Sequence, residues 1–242
     1  MRLFRWLAGS VFAVVATAAA AGPPYLTDDP VPTDTGHWEI YAFGAGGGRG
    51  STFDGDVGVD LNYGAIKNMQ LTATLPLTFT HERGSNWRGG SGDVELGIKY
   101  RVLDDEAHGF SAAIFPRVIL PTAAHSPGER MRFLLPVWVE KDFAGGTSIF
   151  GGGGFTINPG SGKRDFWQAG VAVTQDVSDK VSVGAELAWQ GADAIGGTAE
   201  SDAGVGTVVQ LSDHYALMVS GGPTWSDHQT GYHLYAALGL NF

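Results

Sequence analysis

Alternation with a period of two constrains this chain more than any other feature, because the polar half of the alternation carries charge. In the last strand Phe242, Leu240, Leu238, Ala236, Leu234 and Tyr232 share one face, and Asn241, Gly239, Ala237, Tyr235 and His233 share the other. Successive side chains of a strand point to opposite faces, so one side of this strand is apolar throughout. Met69, Leu71, Ala73, Leu75, Leu77 and Phe79 repeat it against Gln70, Thr72, Thr74, Thr78 and Thr80. Val57, Val59, Leu61 and Tyr63 stand against Asp56, Gly58, Asp60 and Asn62, and Val94, Leu96, Ile98 and Tyr100 against Asp93, Glu95, Gly97 and Lys99. Val181, Val183, Ala185, Leu187 and Trp189 oppose Ser182, Gly184, Glu186, Ala188 and Gln190. Inward charge on strand after strand is wrong for a dry core. It suits a barrel with lipid outside and water inside.

Weaker segments complete the series at Trp38–Gly48, Phe110–Pro121, Arg132–Lys141, Thr147–Ile157, Phe166–Thr174, Ala203–Leu211 and Tyr215–Gly222. The connections alternate: long at 49–55, 81–92, 122–131, 158–165, 191–202 and 223–230, short at 64–68, 103–108, 142–146, 175–180 and 212–214. Short periplasmic turns and longer outer loops produce that alternation, and an even strand count leaves both chain ends on the periplasmic side. The expected fold is therefore all-β, a membrane-spanning antiparallel up-and-down β-barrel of about 12 strands. It places Trp38, Tyr63, Tyr100, Phe110, Tyr215 and Phe242 at the periplasmic rim and Phe79, Phe133, Trp167, Trp189 and Tyr232 at the outer rim. Two aromatic girdles at the interfaces belong to a membrane barrel, and a soluble sandwich has no reason for them.

Composition agrees. The first residues carry Arg2 and Arg5, then an apolar stretch from Leu7 to Val15, then Ala18–Ala21 before Gly22-Pro23-Pro24. A basic start, an apolar centre and an Ala-x-Ala end make a cleaved secretory signal peptide over 1–21. Residues 22–36, rich in Pro and Asp, are too polar and kinked to pair as a strand, so they either tether in the periplasm or insert into the lumen; the barrel occupies 37–242. No later apolar stretch reaches the roughly 18 residues a membrane-spanning helix requires. The 37 glycines fit short strands separated by turns, and the absence of cysteine excludes disulfides and thiolate chemistry. A net charge of −10, more negative once Arg2 and Arg5 leave, excludes nucleic acid as a partner.

Several strings look like those of one family: Tyr25-Leu-Thr-Asp-Asp-Pro30 with Gly36-His-Trp-Glu39, Gly92-Asp-Val-Glu-Leu-Gly-Ile-Lys-Tyr-Arg101, Phe115-Pro-Arg-Val-Ile-Leu-Pro-Thr122, and Leu135-Pro-Val-Trp-Val-Glu-Lys-Asp-Phe143. Together they resemble the outer-membrane transporter family of the MetA pathway of phenol degradation. The resemblance runs over nearly the whole mature chain and departs at Ala123, where a Gly is expected. It implies an outer-membrane channel or transporter through which small solutes, aromatic or hydrophobic ones among them, diffuse. The final Phe242 also resembles the C-terminal aromatic by which such barrels are recognised by the barrel assembly machinery.

The most charged inward row is Asp93, Glu95, Lys99 and Arg101. Folding its hairpin places Arg117 opposite either Asp93 or Glu95, and a two-residue register choice separates the two. With Asp60 and Glu186 these side chains are candidates for a selectivity constriction, because charged rings set which solutes pass. Equally, they could be mutual salt bridges plugging a narrow barrel. The acids tilt the interior negative, toward cations or neutral solutes.

Other readings are weaker. An outer-membrane hydrolase with an outer-rim active site would draw on His81, His125 or His228 with Ser126 or Asp227, yet neighbours on one loop make a poor triad. The chain is expected to be no enzyme. His37 with Glu39 offers two ligands, too few for a metal site, and no cofactor is implied. Gly151–Gly154 lacks the Lys-Ser or Lys-Thr of a phosphate loop and suits strand glycines making room inside a barrel. The outer loops are small for protein recognition at about 800 Å² per partner. The expected partners are small-molecule solute, outer-membrane lipid and the assembly machinery.

Overall fold

The computed structural model describes residues 24–124, 129–227 and 229–242. The strands in chain order are β1 (Trp38–Arg49), β2 (Thr52–Ile66), β3 (Met69–Glu82), β4 in two pieces (Arg88–Ser91 and Val94–Asp105), β5 in two pieces (Phe110–Ile114 and Arg117–Leu120), β6 (Arg132–Phe143), β7 (Thr147–Ile157), β8 (Phe166–Ser178), β9 (Val181–Gln190), β10 (Glu200–Ser212), β11 (Tyr215–Ser226) and β12 (Gln229–Asn241). Each pairs antiparallel with its neighbours in sequence, and β1 pairs with β12, so the sheet closes on itself as a twelve-stranded barrel. The seam is completed by Trp38 and Phe242, which exchange both backbone hydrogen bonds at 3.0 Å. Closure leaves no free edge among the spanning strands, which is what a strand needs where no water can satisfy its backbone.

Burial is inside out. Leu77, Leu187, Val205 and Leu234 are more than half exposed on the outer face, while Asn62, Gln70, Thr72, Lys99, Glu140, Glu186 and Asp202 are buried on the inner one. Soluble proteins rarely expose apolar patches beyond a few hundred Å², and here the apolar face surrounds the molecule. Among the described residues a small apolar core lies inside the lumen, where Tyr41, Ala216, Met218 and Ala237 pack with Phe43, Val208 and Tyr235. At the rims Trp38 lies against Tyr63 (ring centroids 4.8 Å) and Phe155 against Trp167 (5.0 Å).

Three expectations need correction. The connection placed at 49–55 is a tight turn, since β1 runs to Arg49 and β2 begins at Thr52. The last one is equally short, since β11 reaches Ser226 and β12 resumes at Gln229. Long and short connections therefore do not alternate at these two hairpins, whose strands continue paired past the girdle. The glycine-rich end of β1 is strand because it makes room for rings: a β-carbon at Gly46 would lie 3.0 Å from Phe53, and one at Gly48 2.9 Å from Tyr232. Finally, Arg117 pairs with Gly97, opposite neither Asp93 nor Glu95. The strands of that hairpin run on to Asp105 and Phe110, with a bulge between Arg101 and Leu103, and both features shift the register.

Candidate functional site

Inside the barrel lies the chain's own segment from Pro24 to Thr33. The backbone N–H groups of Leu26 and Thr27 donate to Glu186 Oε1 and Oε2 on β9, each at 3.1 Å. At the other end Thr33 donates its N–H (2.8 Å) and its hydroxyl (3.0 Å) to Gln70 Oε1 on β3. Ser220 on β11 donates to the Pro24 carbonyl, and the Gly36 N–H donates to Gly64 (2.7 Å) as the chain turns into β1. Thr27 is 1 % exposed, so the lumen wall encloses it.

The wall is shaped for this segment. A β-carbon at Gly170 would stand 2.2 Å from the Thr27 hydroxyl, one at Gly184 2.4 Å from the Tyr25 hydroxyl, and one at Gly206 2.8 Å from the Tyr25 ring. These glycines on β8, β9 and β10 form a trough in which Tyr25 and Thr27 lie. Burial, with the Glu186 carboxylate adding to it, pushes the Tyr25 phenol up to about 12.

Asp28 is the electrostatic centre. Its Oδ1 lies 3.0 Å from Lys99 Nζ on β4, and its Oδ2 lies 2.8 Å from Arg117 Nη2 on β5. Lys99 also reaches Asp29 Oδ1 at 3.5 Å, and Arg117 Nη1 reaches Glu95 Oε1 at 2.8 Å. The Phe115 ring lies under both cations, 4.0 Å from the Arg117 guanidinium carbon and 5.1 Å from Lys99 Nζ. Pro116 interrupts β5 there, and Gly97 across the ladder leaves room, since its β-carbon would stand 2.7 Å from Phe115. Burial works to raise the Asp28 carboxyl, but Lys99 and Arg117 outweigh it and hold it below the ordinary aspartate range. For Asp29 burial prevails over Lys99, and its carboxyl is raised.

The residues singled out from sequence divide into three groups. Lys99, Arg117 and Glu186 touch the segment, and Glu95 acts on it through Arg117. Asp93 lies apart: it accepts from Arg132 (2.7 Å) and from the Ala123 N–H (3.0 Å), tying the loop after β5 to β4. Asp60 belongs to a polar network on β2 and β3, accepting from Thr74 (2.9 Å) and Asn62 (3.4 Å). Sequence reasoning missed Asp28, Gln70 and Phe115. A signal for Asp28 existed, because inward-facing Lys99 and Arg117 need acids and Asp28-Asp29 sits in the strand-free stretch. His81 stacks on Trp87 at 4.7 Å, while 1–23, His125, Ser126 and His228 lie outside the described residues. Among the described residues no group of three His, Asp or Glu could hold a metal ion.

Beside the segment a cavity of about 300 Å³ remains, bounded by Asp28, Lys99, Phe115 and Arg117 and by Tyr41, Phe43, Met218 and Tyr235. Glu39 and Asp60 also reach it, the first accepting from the Tyr41 hydroxyl at 2.9 Å.

The closed twelve-strand barrel has counterparts in fold among solved structures. The COG4313 outer membrane channel from Pseudomonas putida F1 superimposes with a TM-score of 0.72 at 12 % identity, over 86 % of this chain and 96 % of that one. The fold is that of an outer-membrane β-barrel. The KdgM porin matches with a TM-score of 0.56 at 9 % identity, over 85 % of this chain and 99 % of the porin. The translocator domain of the autotransporter NalP from Neisseria meningitidis matches at 0.51 and 16 % identity, over 86 % and 89 %. No family model matches the chain, and no curated protein does.

Proposed function

We propose that this protein sits in the outer membrane and forms a narrow channel for small solutes, with its N-terminal segment as the constriction. The observation that carries the reading is the partition of the barrel wall: an apolar exterior, and a polar, charged interior that holds the segment and still leaves a cavity of about 300 Å³ beside it. A cavity of that size lies at the small end of ligand pockets. Tyr41, Phe43, Phe115 and Tyr235 around it favour solutes with an apolar or aromatic body, in keeping with the family resemblance in the sequence. Likeness to channels of known structure supports the fold of such a conduit; the solute class rests on the lining. Export by a cleaved signal over 1–21 and delivery to the assembly machinery through Phe242 belong to the same proposal.

Conductance of the refolded protein in a planar bilayer tests it. Small, resolved unitary steps are expected from the intact chain, and deletion of residues 24–33 should enlarge them several-fold. Silence from both forms would favour a structural barrel over a channel.

A further inference from the structure

We propose that Lys99, Arg117 and Phe115 form a binding site for small carboxylate solutes, which Asp28 fills from within the chain. The inference rests on the channel reading and names the chemistry of its constriction. The Asp28 carboxylate is bound as a ligand is bound: one oxygen on the Lys99 ammonium at 3.0 Å, the other on the Arg117 guanidinium at 2.8 Å. Guanidinium groups suit carboxylates because their donors are fixed in a plane. The Arg117 orientation does not depend on Asp28, since Glu95 takes its other amino group and Phe115 supports its face.

The charges then decide what must replace Asp28 when it moves. Arg117 keeps Glu95, but the Lys99 side chain is 6 % exposed and its ion-pair partners, Asp28 and Asp29, both belong to the segment. Withdrawal of the segment would take away both of these carboxylates together with the Val31 carbonyl to which Lys99 also donates at 3.4 Å, leaving the ammonium without an ion-pair partner. An incoming carboxylate takes the same two donors that Asp28 occupies, so binding of the solute and release of Asp28 are a single exchange. The adjoining cavity can take the apolar body of such a solute, because Phe115, Phe43, Tyr235 and Met218 border it next to the two cations. Glu39, Asp60 and Glu140 are further inward acids around the two cations, but none lies within ion-pair distance of Lys99 or Arg117, whose partners are Asp28, Asp29 and Glu95.

Benzoate and its uncharged isostere benzamide are suitable probes for the refolded full chain, with affinity read by calorimetry. Benzoate should bind, benzamide should bind at least about tenfold more weakly, and Asp28→Asn should tighten benzoate by about tenfold by removing the internal competitor. Arg117→Gln should abolish the discrimination between the two probes. Equal affinity for both probes, or an Asp28→Asn variant no tighter than the parent, would overturn the proposal, and the latter result stands even if Arg117→Gln fails to fold. The channel reading fails separately, by silence in the bilayer of the intact and segment-deleted forms.

Discussion

A β-carbon at Gly184 would stand 2.4 Å from the Tyr25 hydroxyl and one at Gly170 2.2 Å from that of Thr27, so the trough depends on residues with no side chain. Overpacking such contacts costs about 1–3 kcal/mol, and each 1.4 kcal/mol is a factor of ten in a population. Gly184→Leu should therefore drive Tyr25 out of the trough. The chain contains no cysteine, so a single Thr27→Cys can be labelled uniquely. With Gly184→Leu present, its labelling by a water-soluble maleimide should accelerate by roughly tenfold or more; an unchanged rate would mean that the trough does not hold the segment. Nothing in the sequence announced this role. Gly170, Gly184 and Gly206 occupy inward positions of three successive strands, where a glycine is as compatible with an empty lumen as with a filled one. Only contact with a segment more than a hundred residues away distinguishes the two, and no periodicity encodes such contact.

At the scale of the element, β12 was legible almost entirely. Its alternation survives from Tyr232 to Leu240, and its partners are β11 and β1, as the barrel requires. The β4–β5 hairpin was not, because one bulged residue after Arg101 and three further residues of strand before the turn displace Arg117 without altering which face it occupies. Inward orientation is fixed by parity, whereas register is fixed by turn geometry. The start of β2, placed in the connection 49–55, misled for a different reason: Asp54 and Gly55 have poor strand propensity in isolation, but here they pair with β1 on one side and β3 on the other. Since the Phe242 backbone forms the final rung with Trp38, deleting Phe242 removes both a rung and a rim aromatic. The truncated protein should reach the outer membrane at clearly lower levels, measured by fractionation and heat-dependent gel mobility, and parental levels would contradict this.

At the scale of the whole molecule the fold was readable because bilayer and lumen impose opposite chemistry on alternate residues, and that opposition is written in every strand. The state of the lumen was not, because it depends on whether one polar segment finds its partners. Acid should change that state. Asp28 has its carboxyl held below the ordinary aspartate value, so its hold on Lys99 and Arg117 is complete above that value. It is lost as pH falls through the lower, bound-state value. Asp29 is shifted upward, so the docked segment takes up that proton more readily than the free one, and docking does not weaken as Asp29 titrates. Conductance should thus stay constant on mild acidification and rise only below the normal aspartate range. Asp28→Asn should remove the low-pH step, and a rise at mildly acidic pH in the parent would count against the assignment.

The seam between Trp38 and Phe242 also bears on how the barrel must close. It joins the first and last strands, so its contacts have nearly the largest sequence separation the barrel contains, and contacts of that kind form slowly. Until they form, β1 and β12 both present unpaired backbone, a template for association with other chains. Gly44, Gly46, Gly47 and Gly48 weaken β1 as a strand on its own, so of the two edges that meet at the seam the Leu- and Tyr-bearing β12 is the stronger template.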